Sequence, residues 1–239
     1  MSNSYFQFKQ FTIHQEKCAM KVCTDACLFG AWIGGEVRST KYEVRNVLDI
    51  GTGTGLLSLM LAQQTEAQID AIEMDESAAE QAGDNFEASP WKERLQIITG
   101  DAKLLHLGKK YELIISNPPF FENDLKSEDA KRNLALHSEQ LSLQDLLLVI
   151  KSHLAANGKF AVLLPYHRKD IFIRSAKLEG FFLAEAVSVK QTHKHNYFRA
   201  MLLFSGVEAS LLAKEIIIRE GEEYSNEFTS LLKDYYLQL

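Results

Sequence analysis

The chain has 239 residues, of which 46% are hydrophobic and 24% charged, and its formal net charge is −6. These values are typical of one globular domain with a sizeable core, and they argue against a protein that coats nucleic acid through bulk positive charge. A local basic patch remains compatible with phosphate contacts. No apolar run approaches the roughly 20 residues of a membrane-spanning helix, and the N-terminus lacks a signal-peptide pattern. We therefore expect a cytoplasmic protein with no membrane contact.

Three cysteines, Cys18, Cys23 and Cys27, lie close together near the N-terminus. Their spacing lacks the C-x-x-C pairs of a structural zinc site, and no histidine pair follows at zinc-finger spacing. A later pair, His193 and His195, has no third ligand near it in the sequence. We expect free thiols in a reducing compartment and no metal site.

Short β-rich runs alternate with helical patterns through the first two thirds of the chain. The predicted elements are a strand over 44–50, a helix over 56–64, a strand over 68–74, a helix over 76–88, strands over 94–101 and 111–116, a helix over 142–158 and a strand over 159–165. Ser142 and Asp145 fit a capping box, and Asn157-Gly158 fits a helix C-terminal cap. Continuous apolar strands that alternate with helices predict a parallel sheet covered on both faces.

The last third of the chain has a different pattern. Runs over 181–192 and 197–206 predict two strands whose short connection indicates an antiparallel hairpin that closes the edge of the sheet. A short strand over 214–220 and a terminal amphipathic helix over 226–239 are also predicted.

The fold class that follows is α/β, with a doubly wound, mostly parallel, seven-stranded sheet and an antiparallel edge hairpin. We expect a single domain over residues 1–239. Its predicted parts are an N-terminal cap segment (1–43), a core (44–206) and a C-terminal extension (207–239).

The stretch "LDIGTGTGLL" lies between a predicted strand and a predicted helix. Its acidic residue and its glycines are Asp49, Gly51, Gly53 and Gly55. Glycines allow a tight turn and the close approach of a ligand. Glu73 ends the next strand, where a carboxylate can accept hydrogen bonds from ribose hydroxyls, and Met74 follows it. The pattern predicts a nucleoside-containing cofactor.

This motif resembles motif I of the class I S-adenosylmethionine-dependent methyltransferases. A dinucleotide site would favour G-x-G-x-x-G, whereas this chain has G-x-G-x-G after Asp49. The resemblance implies S-adenosylmethionine as cofactor and a Rossmann-like fold. It also implies that Asp101, in "GDAK" with Ala102, accepts a hydrogen bond from the adenine amine.

The fourth strand of this core ends in Asn117, Pro118, Pro119 and Phe120. In a doubly wound sheet this end is next to the glycine loop at the switch point, so the two motifs should share one crevice. "NPPF" resembles motif IV, [DNS]-P-P-[FYW], of methyltransferases that act on exocyclic or amide nitrogens. The Asn117 side-chain oxygen and the Pro118 carbonyl can accept the two amine hydrogens, and this aims the nitrogen lone pair at the methyl group. Pro119 stiffens the turn, and Phe120 offers a face for base stacking.

Other segments resemble one bacterial subgroup, the tRNA(Val) adenine-37 N6-methyltransferases, over nearly the whole chain. They are "FKQF" at 8–11, "MKV-x-TD…L-x-GAW" from Met20, "SPW-x-ER" at 89–94 and "YS…YYL" from Tyr224. The resemblance implies transfer of a methyl group to adenine 37 in a tRNA anticodon loop. It also implies that Lys21, Thr24 and Asp25 lie over the methionine end of the cofactor. Cys23 and Cys27 depart from the small residues expected there.

Two further segments are candidates for RNA contact. The polar stretch over 121–141 carries Arg132 and His137 and is long enough for a functional loop, which we interpret as a lid over RNA. The segment "KQTHKHNYFR" offers Lys194, His195 and Arg199 for phosphates. The expected partner is tRNA, and we expect a monomer.

Three alternatives remain open at this point. The same fold can methylate another amine, such as guanine N2 in rRNA or a glutamine amide in a protein. A nucleotide-dependent oxidoreductase would need a second signature for the nicotinamide, and the sequence has none. A binding module with an inactive site is disfavoured because Asn117 is intact.

Overall fold

The structure is a computed structural model that describes residues 3–18, 20–39, 43–118, 141–208 and 210–239. Its strands are β1 (Tyr5–Gln7), β2 (Thr12–His14), β3 (Asn46–Ile50), β4 (Gln68–Glu73), β5 (Leu95–Thr99), β6 (Tyr111–Ser116), β7 (Leu154–Pro165), β8 (Phe182–Lys190), β9 (Tyr197–Ser205), β10 (Leu212–Ile217), β11 (Arg219–Glu220) and β12 (Glu223–Tyr224). Its α-helices are α1 (Thr24–Ser39), α2 (Leu56–Ala62), α3 (Glu76–Glu87), α4 (Leu143–His153), α5 (Lys169–Leu178) and α6 (Asn226–Leu232). Short 3-10 helices cover Lys92–Arg94 and Tyr166–Arg168.

The main sheet has the strand order β10-β8-β9-β7-β6-β3-β4-β5. Among the described strands of this sheet, β9 alone is antiparallel to its neighbours, so the predicted mostly parallel sheet is confirmed. The predicted number of seven strands is wrong, since eight strands pair within the described residues. The β8–β9 hairpin does not close the edge either, because β10 pairs in parallel with β8 and buries Ile216 and Ile217.

Helices cover both faces of this sheet, as predicted. Successive side chains of a strand point to opposite faces, and Val47 and Leu48 of β3 accordingly belong to different buried clusters. The cluster of Val47 includes residues of α1, α2 and α6, such as Phe228. The cluster of Leu48 includes residues of α4 and α5, such as Leu146 and Phe172. None of the described helices is both long and apolar enough to cross a membrane.

The predicted helix over 142–158 is correct at its start and wrong at its end. The Ser142 hydroxyl accepts a hydrogen bond from the Asp145 N–H, and the Asp145 carboxylate accepts one from the Ser142 N–H, so the capping box is confirmed. The helix ends at His153, and Asn157-Gly158 lie inside β7. A Cβ on Gly158 would lie 2.9 Å from the Tyr111 carbonyl oxygen. The glycine therefore permits close approach of β6 instead of capping a helix.

The two ends of the described chain pack together through aromatic side chains. Phe8 stacks on Phe11 with ring centroids 4.5 Å apart, and Tyr236 lies 5.9 Å from Phe8. Trp91 meets Phe11 edge-on at 5.8 Å. Helix α6 ends at Leu232, earlier than predicted, and the chain then turns inward at Tyr235 and Tyr236. We call Phe8, Phe11, Trp91 and Tyr236 the aromatic clasp.

Arg94 gives a structural role to the segment "SPW-x-ER", in which it is the last residue. Its guanidinium donates hydrogen bonds to the carbonyls of Ala62, Thr65 and Ala67, where α2 ends and the chain enters β4. Ala62 is the last residue of α2, where carbonyls have no partner inside the helix, so Arg94 completes the C-terminal end of α2 and also holds the loop that leads to β4. The segments "FKQF", "SPW-x-ER" and "YYL" thus have structural roles. The division of the chain into cap, core and extension stays a prediction, and β10 of the extension lies in the main sheet.

Candidate active site

A cavity of about 400 Å³ lies at the carboxyl ends of β3, β4, β5 and β6. It is lined by residues from the predicted motifs and from the N-terminal segment, namely Lys17, Cys18, Met20, Ile50, Gly51, Gly53, Ile72, Glu73, Met74, Asp75, Ser77, Ala78, Gly100, Asp101, Ala102, Ser116, Asn117, Pro118 and Leu141. Strand β3 pairs with β6, and Ile50 lies opposite Ser116. The glycine loop and the Asn117 segment therefore share one crevice, as predicted from the sheet topology.

Hydrogen bonds connect the strand ends around this cavity. The N–H groups of Gly51 and Thr52 both donate to the Ile72 carbonyl, at 2.9 and 3.0 Å. The buried Ser116 hydroxyl donates to the Ile50 carbonyl at 2.8 Å. The loop after β3 is thereby joined to β4, and the end of β6 is joined to β3. Asn117 follows Ser116 directly, so its position relative to the glycine loop is fixed before any ligand binds.

The three glycines of the loop have different roles. Gly51, Gly53 and Gly55 have φ values of 73°, 56° and 81°, in the left-handed region that favours glycine. A Cβ on Gly51 or Gly53 would meet no atom of the described residues within 4 Å, whereas one on Gly55 would lie 2.5 Å from Phe86 Cε1. Gly51 and Gly53 leave room for a ligand against the backbone. Gly55 allows α3 to pack against the loop.

Glu73 connects the end of β4 to the glycine loop. Its Oε2 accepts a hydrogen bond from the Gly53 N–H at 2.8 Å. Its Oε1 accepts from the N–H groups of Met74 and Asp75, at 2.9 and 3.0 Å. These three donors hold a half-buried carboxylate at the rim of the cavity, which is where a ribose hydroxyl can reach it.

Asp49 lies beneath the loop and is fully buried. Its Oδ2 accepts hydrogen bonds from the hydroxyls of Thr52 and Ser58, at 2.6 and 2.8 Å. Its Oδ1 has no hydrogen-bond partner within the described residues. Burial raises the pKa of Asp49 to about 6. The nearby Glu73 carboxylate also raises this pKa, whereas the hydrogen bonds from Thr52 and Ser58 lower it. Asp49 does not line the cavity, so its direct contact with a cofactor stays a prediction. Its hydrogen bonds with Thr52 and Ser58 anchor the loop to the end of β3.

Asp101 and Ala102 lie at the far side of the cavity, after β5. The Asp101 Oδ1 accepts a hydrogen bond from the Lys103 N–H at 2.9 Å, and the Lys103 Nζ lies 3.5 Å from Oδ2. The preceding Gly100 N–H donates to the Glu73 carbonyl at 2.8 Å. The Asp101 carboxylate is thus oriented within the same cavity as Glu73.

Asn117 and Pro118 complete the cavity at the end of β6. Asn117 also borders an adjoining recess of about 60 Å³, which it shares with Lys21 and the glycine loop. This recess extends the crevice toward the N-terminus of α1. The predicted residues Pro119, Phe120, Arg132 and His137 lie outside the described residues.

The block before α1 is only partly at the site. Lys21 borders the recess, and its Nζ donates to the Asn3 carbonyl at 3.4 Å. Thr24 begins α1, is exposed and lines neither cavity. Asp25 Oδ2 accepts a hydrogen bond from Arg199 Nε at 2.6 Å. Asp25 and Arg199 contact each other, and the predicted contacts of Asp25 with the cofactor and of Arg199 with RNA stay predictions.

Lys194 and His195 lie at the exposed tip of the β8–β9 hairpin, away from the cavity lining. His195 Nδ1 is 2.8 Å from Thr192 Oγ1, and the Lys194 N–H donates to the same oxygen. All three cysteines are free, and burial raises the pKa of the Cys18 thiol to about 11. In the described ranges, no group of three His, Cys, Asp or Glu side chains is placed to hold a metal ion.

Lys17, Cys18 and Met20 form one wall of the cavity, and this wall is not predicted from the sequence. We call residues 14–18 the N-terminal arm. Asn85 Oδ1 accepts from the His14 N–H, and its Nδ2 donates to the carbonyls of His14 and Thr54. Gln81 Oε1 accepts from the N–H groups of residues 16 and 17. The sequence contains one signal for this contact: Gln81 and Asn85 are four residues apart, so their amides lie on one face of the predicted helix over 76–88.

The comparisons with known proteins agree with this geometry. The model of the methyltransferase small domain family matches residues 37–168. A relative from Parabacteroides distasonis is 40% identical over 246 residues, covers 100% of both chains and is named tRNA1(Val) (adenine(37)-N6)-methyltransferase.

This chain belongs to the tRNA1(Val) (adenine(37)-N6)-methyltransferase family. Two solved structures agree in fold. A predicted O-methyltransferase from Agrobacterium tumefaciens has a TM-score of 0.66 at 15% identity, over 88% of this chain and 96% of its own. The glycopeptide N-methyltransferase MtfA, solved with S-adenosyl-L-methionine, has a TM-score of 0.53 at 13% identity, over 74% and 93%. The fold is thus that of class I methyltransferases, and family membership overturns the oxidoreductase alternative.

S-adenosylmethionine is the cofactor of this family, and the cavity fits it. Open space above Gly51 and Gly53 admits a ligand against the backbone. Glu73 and Asp101 stand apart in one cavity, as binding of a ribose and an adenine amine requires. The buried Asp49 carboxylate, whose Oδ1 has no hydrogen-bond partner among the described residues, adds negative potential beneath the loop, which suits a positively charged ligand.

Proposed function

We propose that this chain transfers the methyl group of S-adenosylmethionine to N6 of adenine 37 in tRNA1(Val). The observation that carries the proposal is the position of Asn117 and Pro118 at the cavity that Glu73 and Asp101 also line, in a chain that matches the named relatives over its full length. A base in an anticodon loop is already single-stranded, so little unstacking free energy is needed to present it.

We assign the cofactor contacts to the residues that line the cavity and its recess. Glu73 would accept from a ribose hydroxyl and Asp101 from the adenine amine. Lys21 would face the methionine end from the recess. When bound, the cofactor supplies a methyl group that its positively charged sulfur activates.

Asn117 and Pro118 would act on the acceptor. The N6 amine of adenine is a poor nucleophile because its lone pair is conjugated with the ring. Acceptance of its two hydrogens by the Asn117 side-chain oxygen and the Pro118 carbonyl favours a pyramidal nitrogen with a directed lone pair. Held in this way, the nitrogen would accept the methyl group that the bound cofactor supplies and would lose one proton to solvent. In the part of the chain that the structure describes, no hydrogen bond engages the Asn117 side chain, which leaves it available.

Three further expectations accompany this proposal. The chain should act as a monomer. Its compartment should be the cytoplasm, where the proposed tRNA substrate is found. We also retain the division into a cap segment, a core and a C-terminal extension within one domain.

The decisive experiment is to incubate the purified protein with S-adenosylmethionine and an unmodified tRNA1(Val) transcript, and then to map modified nucleosides by mass spectrometry. We expect N6-methyladenosine at nucleotide 37 of the transcript and nowhere else. The matched control is a transcript in which guanine replaces this adenine. Methylated guanine, or label only on a protein, would support one of the other amine acceptors and refute this one.

A further inference from the structure

The charged side chains at the carboxyl edge of the sheet differ on the two sides of Asn117. Three carboxylates, those of Glu73, Asp75 and Asp101, line the cavity on the β4–β5 side; Lys17 lines it as well, and Lys103 pairs with Asp101. On the other side lie the end of β7, the start of β9 and the tip of the β8–β9 hairpin. Their cationic side chains include Arg168, Lys169, Lys190, Lys194 and Arg199. The asymmetry stands out in a chain whose net charge is −6.

Strand register places these cations beyond the level of Asn117. Val162 of β7 lies opposite Ser116 of β6, so Pro165 extends three residues further, about 10 Å along the strand. Pro165 in turn pairs with Arg199 of β9. The turn that follows Pro165 carries Arg168. This turn therefore lies beyond the carboxyl end of β6, on the side of Asn117 away from the cofactor cavity.

Two tyrosines hold this turn against β9. The rings of Tyr166 and Tyr197 lie 4.9 Å apart, tilted by 33°. Lys169 Nζ lies 4.7 Å from the centroid of the Tyr166 ring, and Lys190 Nζ lies 5.2 Å from that of Tyr197. This sequence of cation, ring, ring and cation fixes the segment that presents Arg168. The turn is thus preorganised before a ligand arrives.

These cations differ in how far other groups already neutralise them. Arg199 pairs with Asp25, and Lys190 pairs with Glu215 at 3.1 Å. Among the described residues, the one carboxylate that pairs with Lys169 is that of its neighbour Asp170, at 3.8 Å. Within the described residues, the side chains of Arg168 and Lys194 make no ion pair. We call Arg168, Lys169 and Lys194 the basic edge.

We propose that the basic edge binds phosphates of the RNA substrate next to the target base, as a contact surface separate from the catalytic crevice. The inference rests on the proposed function. A polyanion is repelled by the carboxylates on the cofactor side and attracted to the cations on the other side. The RNA backbone therefore runs over the ends of β7 and β9, while the target base enters the crevice at Asn117. In this arrangement Arg199 supports α1 through Asp25, and Arg168 takes the phosphate contact.

The test compares two double variants with the same change in net charge. R168Q/K194Q removes two cations of the basic edge that make no ion pair with described residues. R174Q/K177Q removes two exposed cations further along α5, which leads away from this edge. Fluorescence anisotropy measures the Kd for the tRNA1(Val) transcript at several KCl concentrations. Calorimetry measures the Kd for S-adenosylmethionine.

We expect R168Q/K194Q to raise the Kd for tRNA about tenfold at roughly 0.1 M KCl and to reduce the slope of log Kd against log salt by about 1 to 2. Its S-adenosylmethionine affinity and its kcat at saturating tRNA should match wild type, and R174Q/K177Q should match wild type throughout. Equal tRNA affinity and slope for R168Q/K194Q and wild type would overturn the inference, as would an equal loss in both variants.

The wild-type protein separates this inference from the proposed function. A wild type that neither binds nor methylates the transcript would overturn the proposed function and this inference with it. Wild-type methylation together with unchanged binding by R168Q/K194Q would overturn only the basic edge.

Discussion

Arg199 Nε lies 2.6 Å from Asp25 Oδ2 and joins the start of β9 to the first turn of α1. The Asp25 side chain is only 13% exposed, so removal of the arginine leaves a largely buried carboxylate without this partner. The pair thereby fixes the first turn of α1, in which Ala26 lines the recess beside the glycine loop. A structural role for Arg199 follows from this contact.

We predict that Arg199→Gln lowers the free energy of unfolding by about 2 kcal/mol, because a largely buried charge loses its partner. Urea denaturation measures this change. The double variant D25N/R199Q should recover part of the loss, since it removes both charges. If the variant has unchanged stability but binds tRNA more weakly, Arg199 contacts RNA phosphates and its structural role is refuted.

Asn117→Ala should lower kcat by about 100-fold or more, because the variant loses an acceptor that orients the amine in the transition state. The Kd for S-adenosylmethionine, measured by calorimetry, should change by less than about threefold, a small effect on the scale of binding free energies. Single-turnover methylation at saturating tRNA isolates the chemical step. Wild-type turnover in this variant would refute the assigned role.

The pKa of Asp49 predicts a dependence of stability on pH. Burial raises this pKa to about 6 in the folded state, above the unfolded value of about 3.9. The folded state therefore binds more protons between these values. The stability that the protonated group contributes is present below about pH 4 and is lost as pH rises through about 6.

Asp49→Asn removes this titration while its side-chain oxygen can still accept from Thr52 and Ser58. We expect the variant to gain stability relative to wild type as pH rises from about 4 to 7, by on the order of 2 kcal/mol. Urea denaturation at each pH gives the difference. A constant difference across this range would show that Asp49 has an ordinary pKa.

Gly55 and Gly53 provide a matched pair of substitutions. Gly55→Ala places a Cβ against Phe86 in addition to its positive φ, so we expect a loss of about 2–4 kcal/mol in unfolding free energy. Gly53→Ala has the positive φ but open space, so about 1 kcal/mol is expected. Denaturant unfolding tests both values. The added methyl group at Gly53 should instead weaken S-adenosylmethionine binding, and equal stability losses would contradict the assignment.

The N-terminal arm provides a prediction about the cofactor. Asn85→Asp loses the two N–H donors to the His14 and Thr54 carbonyls, so the arm should detach from α3 more often. We expect the Kd for S-adenosylmethionine to rise about tenfold, equal to about 1.4 kcal/mol. Faster amide hydrogen exchange over 12–18 should accompany it. Glu87→Ala, a surface change at the end of the same helix, is the control and should affect neither quantity.

Much of the site could be predicted because its motifs are local. The glycine loop and the Asn117 segment each follow a strand, Glu73 ends one, and the parallel sheet brings those strand ends together. The errors arise where distant residues decide the structure. The residue types of Asn157-Gly158 fit a helix cap, but the segment that contains them pairs with β6 and is therefore part of β7. The edge position of β10 and the pairing of Asp25 with Arg199 likewise depend on contacts across more than 20 residues of sequence.

The aromatic clasp has a consequence for synthesis of the protein. The Lys9 N–H donates to the Tyr235 carbonyl, and Phe8 forms a β-bridge with Tyr236, so β1 and β2 are held by residues made more than 200 positions later. Those two strands lead directly into the arm that walls the cofactor cavity. A nascent chain can thus fold its central sheet early, but it completes the cavity only after residues 235 and 236 have left the ribosome. We expect ribosome-bound intermediates to have the sheet and to bind S-adenosylmethionine weakly.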